Sequence, residues 1–488
     1  MLDNKHMLNL KDPSLLTGSA YINGARFKGD KVFAVTNPAT GEELAQVADM
    51  GVAELSAAID AAHAAQKPWA ARTGKDRAGV LRRWHDLILA NVEDLAVILT
   101  AEMGKPLAEA KGEIAYGAAY VEWFAEEAKR VYGDTIPGHM PDKRIIVLKQ
   151  PVGVVGAITP WNFPNAMLAR KIAPALAAGC TMVARPSELT PLSALALGVL
   201  AERAGIPAGV LNIVPGLVAG GMGAELCANP KVAKISFTGS TRVGKILMRQ
   251  GAETIKKLSL ELGGNAPFIV FDDADLDAAV EGAMIAKFRN NGQTCVCANR
   301  IYVQSGVYDA FAEKLAARVA AMAVGNGLTD PVQVGPLINT AALAKVEDHI
   351  ADAVANGATV ATGGARHELG GTFFHPTVLT GMKPEMKISR EETFGPVAPI
   401  YRFETEEEAI ALANDSEFGL AGYFYARDLG RVWRVAEALE TGMVGVNTGL
   451  ISTEVAPFGG VKQSGLGREG SHYGLDDYLE IKYMCLSV

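Results

Sequence analysis

The stretch that decides the fold is "VGVVGAITPWNFPNAMLARKIAPALAAGCTMVARPSELTP", residues 152–191. Two β-rich runs, "VGVVGAI" and "TMVAR", enclose the helical segment "NAMLARKIAPALAAG". Short strands that alternate with helices of this length are typical of βαβ units around a buried parallel sheet. The runs "LNIVP" and "AKISF" continue the pattern further along the chain. This part of the sequence therefore predicts a doubly wound α/β domain.

Two further regions flank this stretch. Residues 52–130 carry apolar residues at three- and four-residue intervals, which predicts a set of amphipathic helices. The run "APFIVF" at 266–271 opens a second series of strands and helices that extends to about residue 440. We therefore expect two doubly wound parallel-sheet α/β domains in one chain.

Two apolar strand patterns fall outside both series, "KRIIVLKQP" at 143–151 and "YLEIKYMCLSV" at 478–488. Strands without a partner in their own domain tend to pair with another chain. The alternative is that each strand completes a sheet of its own. The pattern is compatible with a small β oligomerisation element and with that alternative alike.

The composition excludes several classes of protein. Of 488 residues, 49% are hydrophobic and 20% charged, and the net charge of −8 disfavours binding to a phosphate backbone. The start of the chain lacks a signal-peptide pattern, and no run of ~18 apolar residues predicts a membrane span. The five cysteines are odd in number and scattered. We therefore expect a protein of the reducing cytoplasm, with no nucleic-acid or membrane partner.

Two glycine-rich motifs need separate interpretations. "GLGREG" at 465–470 matches a dinucleotide fingerprint in letters, but no βαβ unit surrounds it, so we interpret it as a turn. "GSTRVGK" at 239–245 is nearly a Walker A loop, but Ile246 stands where the Mg²⁺-binding hydroxyl would be. A strand, a glycine turn and a helix N-terminus here form either an anion site or a turn that merely requires glycine.

Three loops carry candidate functional side chains. Asn162, between the prolines of "TPWNFP", is either a fixed amide donor to a developing oxyanion or a cap of the next helix. Glu261, in "LELGGNAP", is a carboxylate among apolar residues, and is either a tunable base or a group solvated by a cleft. Arg185 and Glu188, in "ARPSELTP", are suited to hold a nucleotide ribose or to form a solvated pair.

The segment "GQTCVCANR" places Cys295 and Cys297 one residue apart. Two cysteines supply two metal ligands, whereas a closed zinc site needs four. The eight histidines are dispersed, without a pair at ligand spacing, so we expect no metal. A thiolate nucleophile activated by backbone N–H groups and a pair of inert thiols both remain compatible with this segment.

Six motifs occur together in one order: "TPWNFP", "FTGSTRVG", "LELGGNAP", "GQTCVCANR", "EETFGPV" and "APFGGVKQSGLGREG". This set resembles the aldehyde dehydrogenase superfamily over nearly the whole chain. Within it, "RKIAPALAAGCTMV", "FRNNGQTCVCANR" and "NTGLISTEVAPFGG" are most similar to the succinate-semialdehyde dehydrogenases. The resemblance implies a dinucleotide-binding domain (1–132 and 152–262), a catalytic domain (263–462) and an oligomerisation element (133–151 and 463–488). It also implies a homodimer or homotetramer.

The resemblance implies a reaction, the NAD(P)-dependent oxidation of succinate semialdehyde to succinate. Cys295 would attack the aldehyde as a thiolate, and the Asn162 amide with the Cys295 backbone N–H would hold the oxyanion of the thiohemiacetal. Loss of hydride to the nicotinamide would leave a thioester. Glu261 would activate the water that hydrolyses this thioester. Lys171 matches a family lysine near the cofactor and the thiol.

Cofactor-binding positions of the family are matched by Trp161, Arg185, Ser187, Glu188, Gly239, Ser240, Gly244, Glu392 and Phe394. Glu188 matches a carboxylate that binds adenosine ribose hydroxyls in NAD users and would repel a 2′-phosphate. Arg185 replaces a common lysine and is suited to accommodate that phosphate. Because the carboxylate would have to move or be paired for NADP, we expect NAD, with NADP as the alternative.

Three residues are matched to the substrate. Arg170 and Arg289 stand where many relatives carry an aromatic residue, and Ser452 in "GLISTE" matches a third ligand. Arginine presents a rigid fork of donors that fits a carboxylate. The alternative for Arg289 is to cap a helix C-terminus or to pair with a local acid. Glutarate semialdehyde, or another ω-semialdehyde acid, remains the alternative substrate, because one methylene is worth only ~1–3 kcal/mol of discrimination.

Cys297 is similar in position to a redox partner of the nucleophile in a related group. A disulfide across one residue is strained and therefore readily reduced. We take Cys297 as the candidate for a redox switch.

Overall fold

Two large sheets and a small one organise the chain. The structure is a computed structural model that describes residues 8–329 and 331–488. The helices are α1 (Val52–Ala70), α2 (Gly74–Ala90), α3 (Val92–Met103), α4 (Leu107–Glu127), α5 (Ala166–Ala178), α6 (Pro191–Ala204), α7 (Ala219–Ala228), α8 (Thr241–Ala252), α9 (Leu276–Phe288), α10 (Tyr308–Ala320), α11 (Thr340–Ala355), α12 (Lys387–Arg390), α13 (Glu406–Asn414), α14 (Leu429–Ala438) and α15 (Tyr473–Asp476). No helix within these described ranges is long and apolar enough to cross a membrane.

The strands, in chain order, are β1 (Ala20–Ile22), β2 (Ala25–Phe27), β3 (Val32–Thr36), β4 (Glu43–Ala48), β5 (Asp134–Ile136), β6 (Lys143–Pro151), β7 (Val154–Ile158), β8 (Thr181–Arg185), β9 (Leu211–Ile213), β10 (Val232–Thr238), β11 (Lys257–Glu261), β12 (Ala266–Val270), β13 (Ala298–Gln304), β14 (Thr359–Thr362), β15 (Thr377–Thr380), β16 (Val397–Phe403), β17 (Phe418–Gly419), β18 (Ala421–Tyr425), β19 (Met443–Val446), β20 (Val461–Lys462), β21 (Gly465–Leu466) and β22 (Leu479–Ser487). Strands β3 and β4 form a hairpin, and β17 pairs with β20.

The first sheet has the order β2-β1-β9-β8-β7-β10-β11-β21. Strands β7 to β11 run parallel, whereas β1 and β21 join the sheet antiparallel. Along the chain, β7, β8 and β9 proceed in one direction across the sheet, and β10 and β11 proceed in the other. The order therefore reverses between β7 and β10, and such a reversal is where open α/β sheets bind ligands.

The second sheet has the order β14-β15-β16-β13-β12-β18-β19. All its neighbouring pairs are parallel except β14 with β15. Strands β12 and β18 are buried throughout, because helices cover both faces of a parallel sheet. The predicted fold class, two doubly wound α/β domains, is confirmed.

The small sheet has the order β22-β6-β5 and is antiparallel. Strand β22 pairs with the whole of β6, from Leu479 opposite Pro151 to Ser487 opposite Lys143. The two apolar strands that the sequence left outside both domains therefore pair with each other. Apart from Leu479, the residues of β22 are exposed.

Residues 52–127 form helices α1 to α4, as the helical spacing over 52–130 predicts; α1 packs on the first sheet, and α2 to α4 pack on α5, α6 and one another. Trp69 of α1 and Trp84 of α2 are fully buried in this packing. Their indole N–H groups donate to the carbonyls of Leu176, at 3.1 Å, and Leu197, at 3.2 Å. Helices α1 and α2 are thereby fixed to α5 and α6, and α4 lies against α5, which carries part of the site described next.

Candidate active site

Cys295 lies where two cavities meet. One cavity, of about 240 Å³, is lined by residues at the ends of β7 and β10 and is called here the strand-end cavity. The other, of about 330 Å³, is lined by α4, α5 and the end of α9 and is called here the arginine cavity. Cys295 belongs to the walls of both. A thiol in this place can touch a ligand from either side.

The position of Cys295 is fixed by a close backbone approach. The residue precedes β13, and its carbonyl oxygen would lie 2.4 Å from a Cβ atom added at Gly264. Only glycine therefore fits the turn between β11 and β12 without displacing the thiol loop. Burial raises the pKa of the Cys295 thiol to about 12, so the resting form is the thiol and a base must remove its proton.

Asn162 is buried in the loop between β7 and α5. Its side-chain amide donates to the carbonyl of Gln293 at 3.0 Å, which leaves its second N–H free to donate elsewhere. The backbone carbonyl of Asn162 accepts hydrogen bonds from the side chains of Lys105, at 2.8 Å, and Asn290, at 3.0 Å. Asn162 lines the strand-end cavity together with Cys295. The structure thus holds a fixed amide donor in the wall that contains the thiol.

Lys105 forms a completely buried ion pair with Glu113 of α4 at 2.5 Å. The second oxygen of that carboxylate accepts from the backbone N–H groups of Asn165 and Ala166 at 2.9 and 3.2 Å. A carboxylate at this place satisfies free donors at the start of α5 and is favoured by the helix dipole. The sequence analysis missed this pair, which fixes the loop that carries Asn162.

The strand-end cavity collects several of the residues matched to cofactor binding. Trp161, Gly239, Ser240, Glu392 and Phe394 all line it. Ser240 caps α8 by accepting from the Val243 N–H at 3.4 Å, so the strand, turn and helix N-terminus predicted for this motif are present.

Two aromatic rings and one carboxylate shape the far wall of this cavity. The Phe394 ring lies 5.5 Å from the Trp161 ring, edge to face. Phe394 has a φ of 58°, a left-handed conformation that non-glycine residues adopt rarely and mostly at functional sites. Burial raises the pKa of Glu392 to about 7, although its carboxylate accepts from the Gly264 N–H at 3.2 Å.

Four other matched positions lie outside the walls of the strand-end cavity as the described residues define them. Gly244 lies inside α8, where an added Cβ would be 2.5 Å from Leu262, so its role in this structure is close packing. Arg185 is the last residue of β8, the neighbour of β7, and Ser187 and Glu188 follow it. Arg185 donates to the Glu188 carboxylate at 2.7 Å and to the Gly216 carbonyl at 2.9 Å. Ser187 accepts from the Leu189 N–H at 3.2 Å.

The strand-end cavity fits a dinucleotide in its polar groups. The Thr238 hydroxyl is buried at its wall without a hydrogen-bond partner among the described residues. The N-terminus of α8 supplies free backbone N–H groups and a favourable dipole for a phosphate. Both features would suit the phosphate and hydroxyl groups of a dinucleotide.

Arg289 is an unpaired cation in the arginine cavity. It follows the last residue of α9 and lies over the Phe163 ring, with its guanidinium carbon 5.4 Å from the ring centre. Within the described part of the chain it has no ion pair and no hydrogen bond from its side chain. The two alternatives stay open, because Arg289 occupies the C-cap position of α9 and a local acid, Glu109, lines the same cavity. Burial raises the pKa of Glu109, and the charges of Lys105 and Arg289 oppose that shift. An anion entering the cavity meets a free guanidinium.

Arg170 of α5 lines the same cavity but is bound differently. It is fully buried, forms an ion pair with Glu469 through Nε, and stacks on Phe458 at 4.4 Å. Its two terminal nitrogens are buried with no hydrogen-bond partner in the described structure. Ser452 also belongs to this wall. Donors from three separate segments thus face one cavity.

Glu469 is the main site residue that the sequence analysis missed. Its carboxylate also accepts from Lys171 at 2.5 Å, and Lys171 in turn donates to Ser236 at 3.1 Å. Burial opposes ionisation of Glu469, but the charges of Arg170 and Lys171 hold its pKa below the usual range. The residue lies in "GLGREG", with Gly465, Gly467 and Gly470 all at positive φ. The expectation of a simple turn is wrong, because Gly465 and Leu466 form strand β21 beside β11 and Glu469 forms a bridge with Phe458. A lone acid inside a glycine-rich segment was the available signal.

Glu261 ends β11 and is completely buried. One of its carboxylate oxygens has no hydrogen-bond partner in the described structure. Burial and the neighbouring charge of Glu469 raise its pKa well above the usual range, against the pull of Arg170 and Lys171. Glu261 and Lys171 lie behind the two cavities, outside the walls that the described residues form. The charges of Glu261 and Lys171 still act on one another, and that of Glu261 acts on Cys295.

Cys297 lies in the protein interior, fully buried, and not in either cavity wall as described. Its sulfur accepts from Lys287 at 3.3 Å and donates to the Lys287 carbonyl at the same distance. Lys287 also donates to Asn299 at 2.8 Å. Both cysteines are free thiols in this structure. The redox-switch interpretation stays a prediction.

Comparisons with known proteins agree with this geometry. Residues 26–484 match the model of the aldehyde dehydrogenase family. The chain is 64% identical over 481 residues to a glutarate-semialdehyde dehydrogenase of Pseudomonas aeruginosa, covering 98% of this chain and 99% of the relative. It is 62% identical over 483 residues to a succinate-semialdehyde dehydrogenase [NADP(+)] of Escherichia coli, covering 99% and 100%.

A solved structure is equally similar. The succinate-semialdehyde dehydrogenase of Burkholderia pseudomallei superposes with a TM-score of 0.97 at 64% identity, and the match covers 98% of this chain and all of that one. The family match covers almost the whole chain, and the structure places a thiol between the strand-end cavity and the arginine cavity. The chain belongs to the aldehyde dehydrogenase family.

Proposed function

We propose that this enzyme oxidises succinate semialdehyde to succinate with NAD(P). The observation that carries the proposal is the arginine cavity, in which Arg289 is unpaired and lies in the same wall as Cys295. A cavity with a free guanidinium favours a substrate that carries an anion at one end and its aldehyde at the other. Relatives named for succinate and glutarate semialdehyde, both of this chemical class, support it.

The carboxylate of the substrate binds to the three donor groups of the arginine cavity. Arg289 supplies a planar fork suited to two carboxylate oxygens, and the unpaired terminal nitrogens of Arg170 and the Ser452 hydroxyl supply further donors. A neutral aldehyde would leave these donors poorly solvated inside the cavity. Selectivity for acids over neutral aldehydes of the same length should therefore be large.

The residues around Cys295 divide the chemistry. Once solvent hydroxide has taken the Cys295 proton, the thiolate attacks the aldehyde carbon, and the free N–H of the Asn162 side chain, with the Cys295 backbone N–H, stabilises the oxyanion. The nicotinamide, when bound, accepts the hydride. For the thioester that remains on the sulfur, ionised Glu261 takes a proton from water, the hydroxide adds to the carbonyl carbon, the C–S bond breaks, and succinate leaves. Lys171 and Glu469 fix the electrostatic setting of Glu261.

We expect both NAD and NADP to be used. The sequence favoured NAD because Glu188 would repel a 2′-phosphate unless it moved or was paired. In the structure Glu188 is paired with Arg185 at 2.7 Å and is half-exposed, so one of those two conditions is met. The Escherichia coli relative is named as NADP-dependent. The preference for NAD stays a prediction, and the Arg185–Glu188 ion pair is an argument against it.

Self-association through the small sheet belongs to the same proposal. Ile481, Tyr483 and Val488 on or beside β22 are each at least 70% exposed, which is unusual for a run of apolar side chains. We propose a homodimer or homotetramer that covers this strand. The division into a cofactor domain, a catalytic domain and an oligomerisation element, and a location in the cytoplasm, are likewise proposals.

The decisive experiment compares initial rates with succinate semialdehyde, glutarate semialdehyde and butanal, each with NAD and with NADP. We expect both acids to exceed butanal in kcat/KM by at least ~100-fold, since a cavity built around donor groups rejects a substrate that leaves them unpaired. Butanal oxidised as well as the acids would contradict the carboxylate role of the arginine cavity. A higher kcat/KM for glutarate than for succinate semialdehyde would assign the longer substrate.

A further inference from the structure

A cluster of three metal-ligating side chains lies on the hairpin between β14 and β15, at the edge of the second sheet. It consists of His367, Glu368 and His375. One ligand atom from each residue lies within 4.8 Å of the other two. The catalytic proposal uses none of these residues, and the sequence spacing of the histidines did not suggest a pair.

The hairpin backbone explains why the two histidines meet. Arg366 and Phe374 form an antiparallel bridge. The His367 N–H donates to the Phe373 carbonyl, and the His375 N–H donates to the Ala365 carbonyl, both at 3.0 Å. In this register His367 and His375 are diagonal neighbours on one face of the hairpin, which brings long side chains into contact. Their rings lie 4.5 Å apart.

The spacing of the ligand atoms matches a tetrahedral metal site. His375 Nε2 lies 3.2 Å from the Glu368 carboxylate, and His367 Nδ1 lies 3.7 Å from the same oxygen. Ligands held ~2.0–2.1 Å from a zinc ion at tetrahedral angles are roughly 3.4 Å apart. The two observed distances bracket that value. The ligand atoms of His367 and His375 lie within 4.8 Å of each other.

We propose that His367, Glu368 and His375 bind one divalent transition-metal ion, such as Zn²⁺, with a water as the fourth ligand. Two imidazoles and a carboxylate are a donor set that this class of ion prefers. The side chains of His367 and His375 are 19% and 33% exposed and that of Glu368 is 81% exposed, so the site opens to solvent. On binding, the Leu369 N–H gives up its hydrogen bond to His367 Nδ1. Bound metal cross-links the two sides of the hairpin.

The nearest cation of the hairpin does not oppose this site. Arg366 alternates with His367 along the strand, and its guanidinium is bound to the Glu347 carboxylate at 2.6 and 2.8 Å. Its charge is therefore compensated on the side of α11. His367 and His375 face away from it, because successive residues of a strand point to opposite faces, and Glu368 lies in the turn that follows His367.

The test uses the full chain without an affinity tag, freed of metal and dialysed against Zn²⁺. We expect one equivalent bound per chain, and binding weaker by roughly tenfold or more in His367→Gln and in His375→Gln. His139→Gln, which removes an exposed histidine elsewhere, is the matched control and should bind as the unmodified chain does. Circular dichroism verifies that each variant is folded.

Cobalt distinguishes this site from the thiols, which also bind zinc. Co²⁺ at two imidazoles and a carboxylate lacks the near-ultraviolet charge-transfer band that a thiolate ligand produces. A visible Co²⁺ spectrum without that band, lost in His375→Gln, supports the proposal. Stoichiometric binding that is unchanged in both histidine variants, a thiolate band from the bound ion, or no binding at all would overturn it.

Discussion

The strand-end cavity and the arginine cavity share Cys295 but are built in different ways. The strand-end cavity owes its shape to loops after β7 and β10, where the strand order of the first sheet reverses. The arginine cavity is formed mostly by side chains from α4, α5 and the end of α9. The first is therefore a consequence of topology, whereas the second depends on the identity of a few side chains. Substitutions should separate the two accordingly.

Within the arginine cavity the two guanidinium groups differ in burial and in their ion pairs. Arg170 is fully buried and neutralised by Glu469, so it belongs to the interior as well as to the cavity. Arg289 is half-buried and has no partner in the described structure. Removing Arg170 would leave a buried carboxylate uncompensated, which is strongly destabilising in proteins. Arg289 is the arginine whose loss reports on substrate alone.

The largest effect is expected behind both cavities, at Glu261. Glu261→Gln removes the proposed base, and kcat should fall by roughly 10²–10⁴-fold, the usual contribution of general base catalysis. A single burst of reduced cofactor, equal to the enzyme concentration, should persist because thioester formation does not need water. Rapid-mixing absorbance at 340 nm measures the burst. A variant without the burst would place Glu261 in thiol activation instead.

The next effect separates the arginine cavity from the rest. Arg289→Ala should lower kcat/KM for succinate semialdehyde by roughly 10- to 100-fold, because a charge-assisted hydrogen bond contributes about 1.5–3 kcal/mol. Butanal oxidation should be unchanged. Arg318→Ala is the control, since Arg318 lines the neighbouring groove but is paired with Glu281. Equal losses for both aldehydes would make Arg289 a structural residue.

The pH dependence of Cys295 alkylation tests the ionisation of the thiol that the two cavities share. Because the pKa of Cys295 is raised to about 12, the thiolate fraction increases roughly tenfold for each pH unit below that value. In the enzyme without ligands, alkylation of Cys295 by iodoacetamide should therefore rise about tenfold per unit from pH 7 to 9 without levelling off. Peptide mass spectrometry follows Cys295 separately from the exposed Cys485. A plateau in this range would show that the thiol is activated in the free enzyme.

The smallest effect is expected at Glu188, beyond the carboxyl end of β8 in the first sheet. Glu188→Gln removes a half-exposed charge, so the NADP-to-NAD ratio of kcat/KM should rise only about three- to tenfold, in line with the modest energies of partly exposed ion pairs. Glu202→Gln, at the other end of α6 and paired with Arg26, should leave the ratio unchanged. A ratio that is unaffected by Glu188→Gln would place the ribose elsewhere.

The sequence predicted the fold and the strand-end cavity well for a physical reason. Parallel strands bring their carboxyl ends to one edge of a sheet, so Asn162, Gly239 and Ser240 had to lie near one another once the strands were identified. The role proposed for Cys295 follows from its place in a motif and stays a prediction. These features depend on local patterns and on the rules of sheet topology.

The charge network could not be predicted in the same way. Glu469 reaches Arg170 and Lys171 across about three hundred residues of chain, from inside a glycine-rich segment for which the sequence predicted no chemistry. The Lys105–Glu113 pair and the His367–His375 pair likewise form through tertiary contacts or hairpin register. The separation of such residues along the sequence does not predict the distance between them in the fold.

Because one sulfur belongs to two walls, a reagent on Cys295 acts on two binding events at once. An electrophile that carries a carboxylate would be drawn into the arginine cavity by Arg289 and would leave the opposite side open. A neutral electrophile with a flat aromatic group would suit the space beside Trp161 and Phe394. Covalent inhibitors of this enzyme can therefore be designed in two families. A ligand of the arginine cavity would protect Cys295 from the first family, and a ligand of the strand-end cavity would protect it from the second.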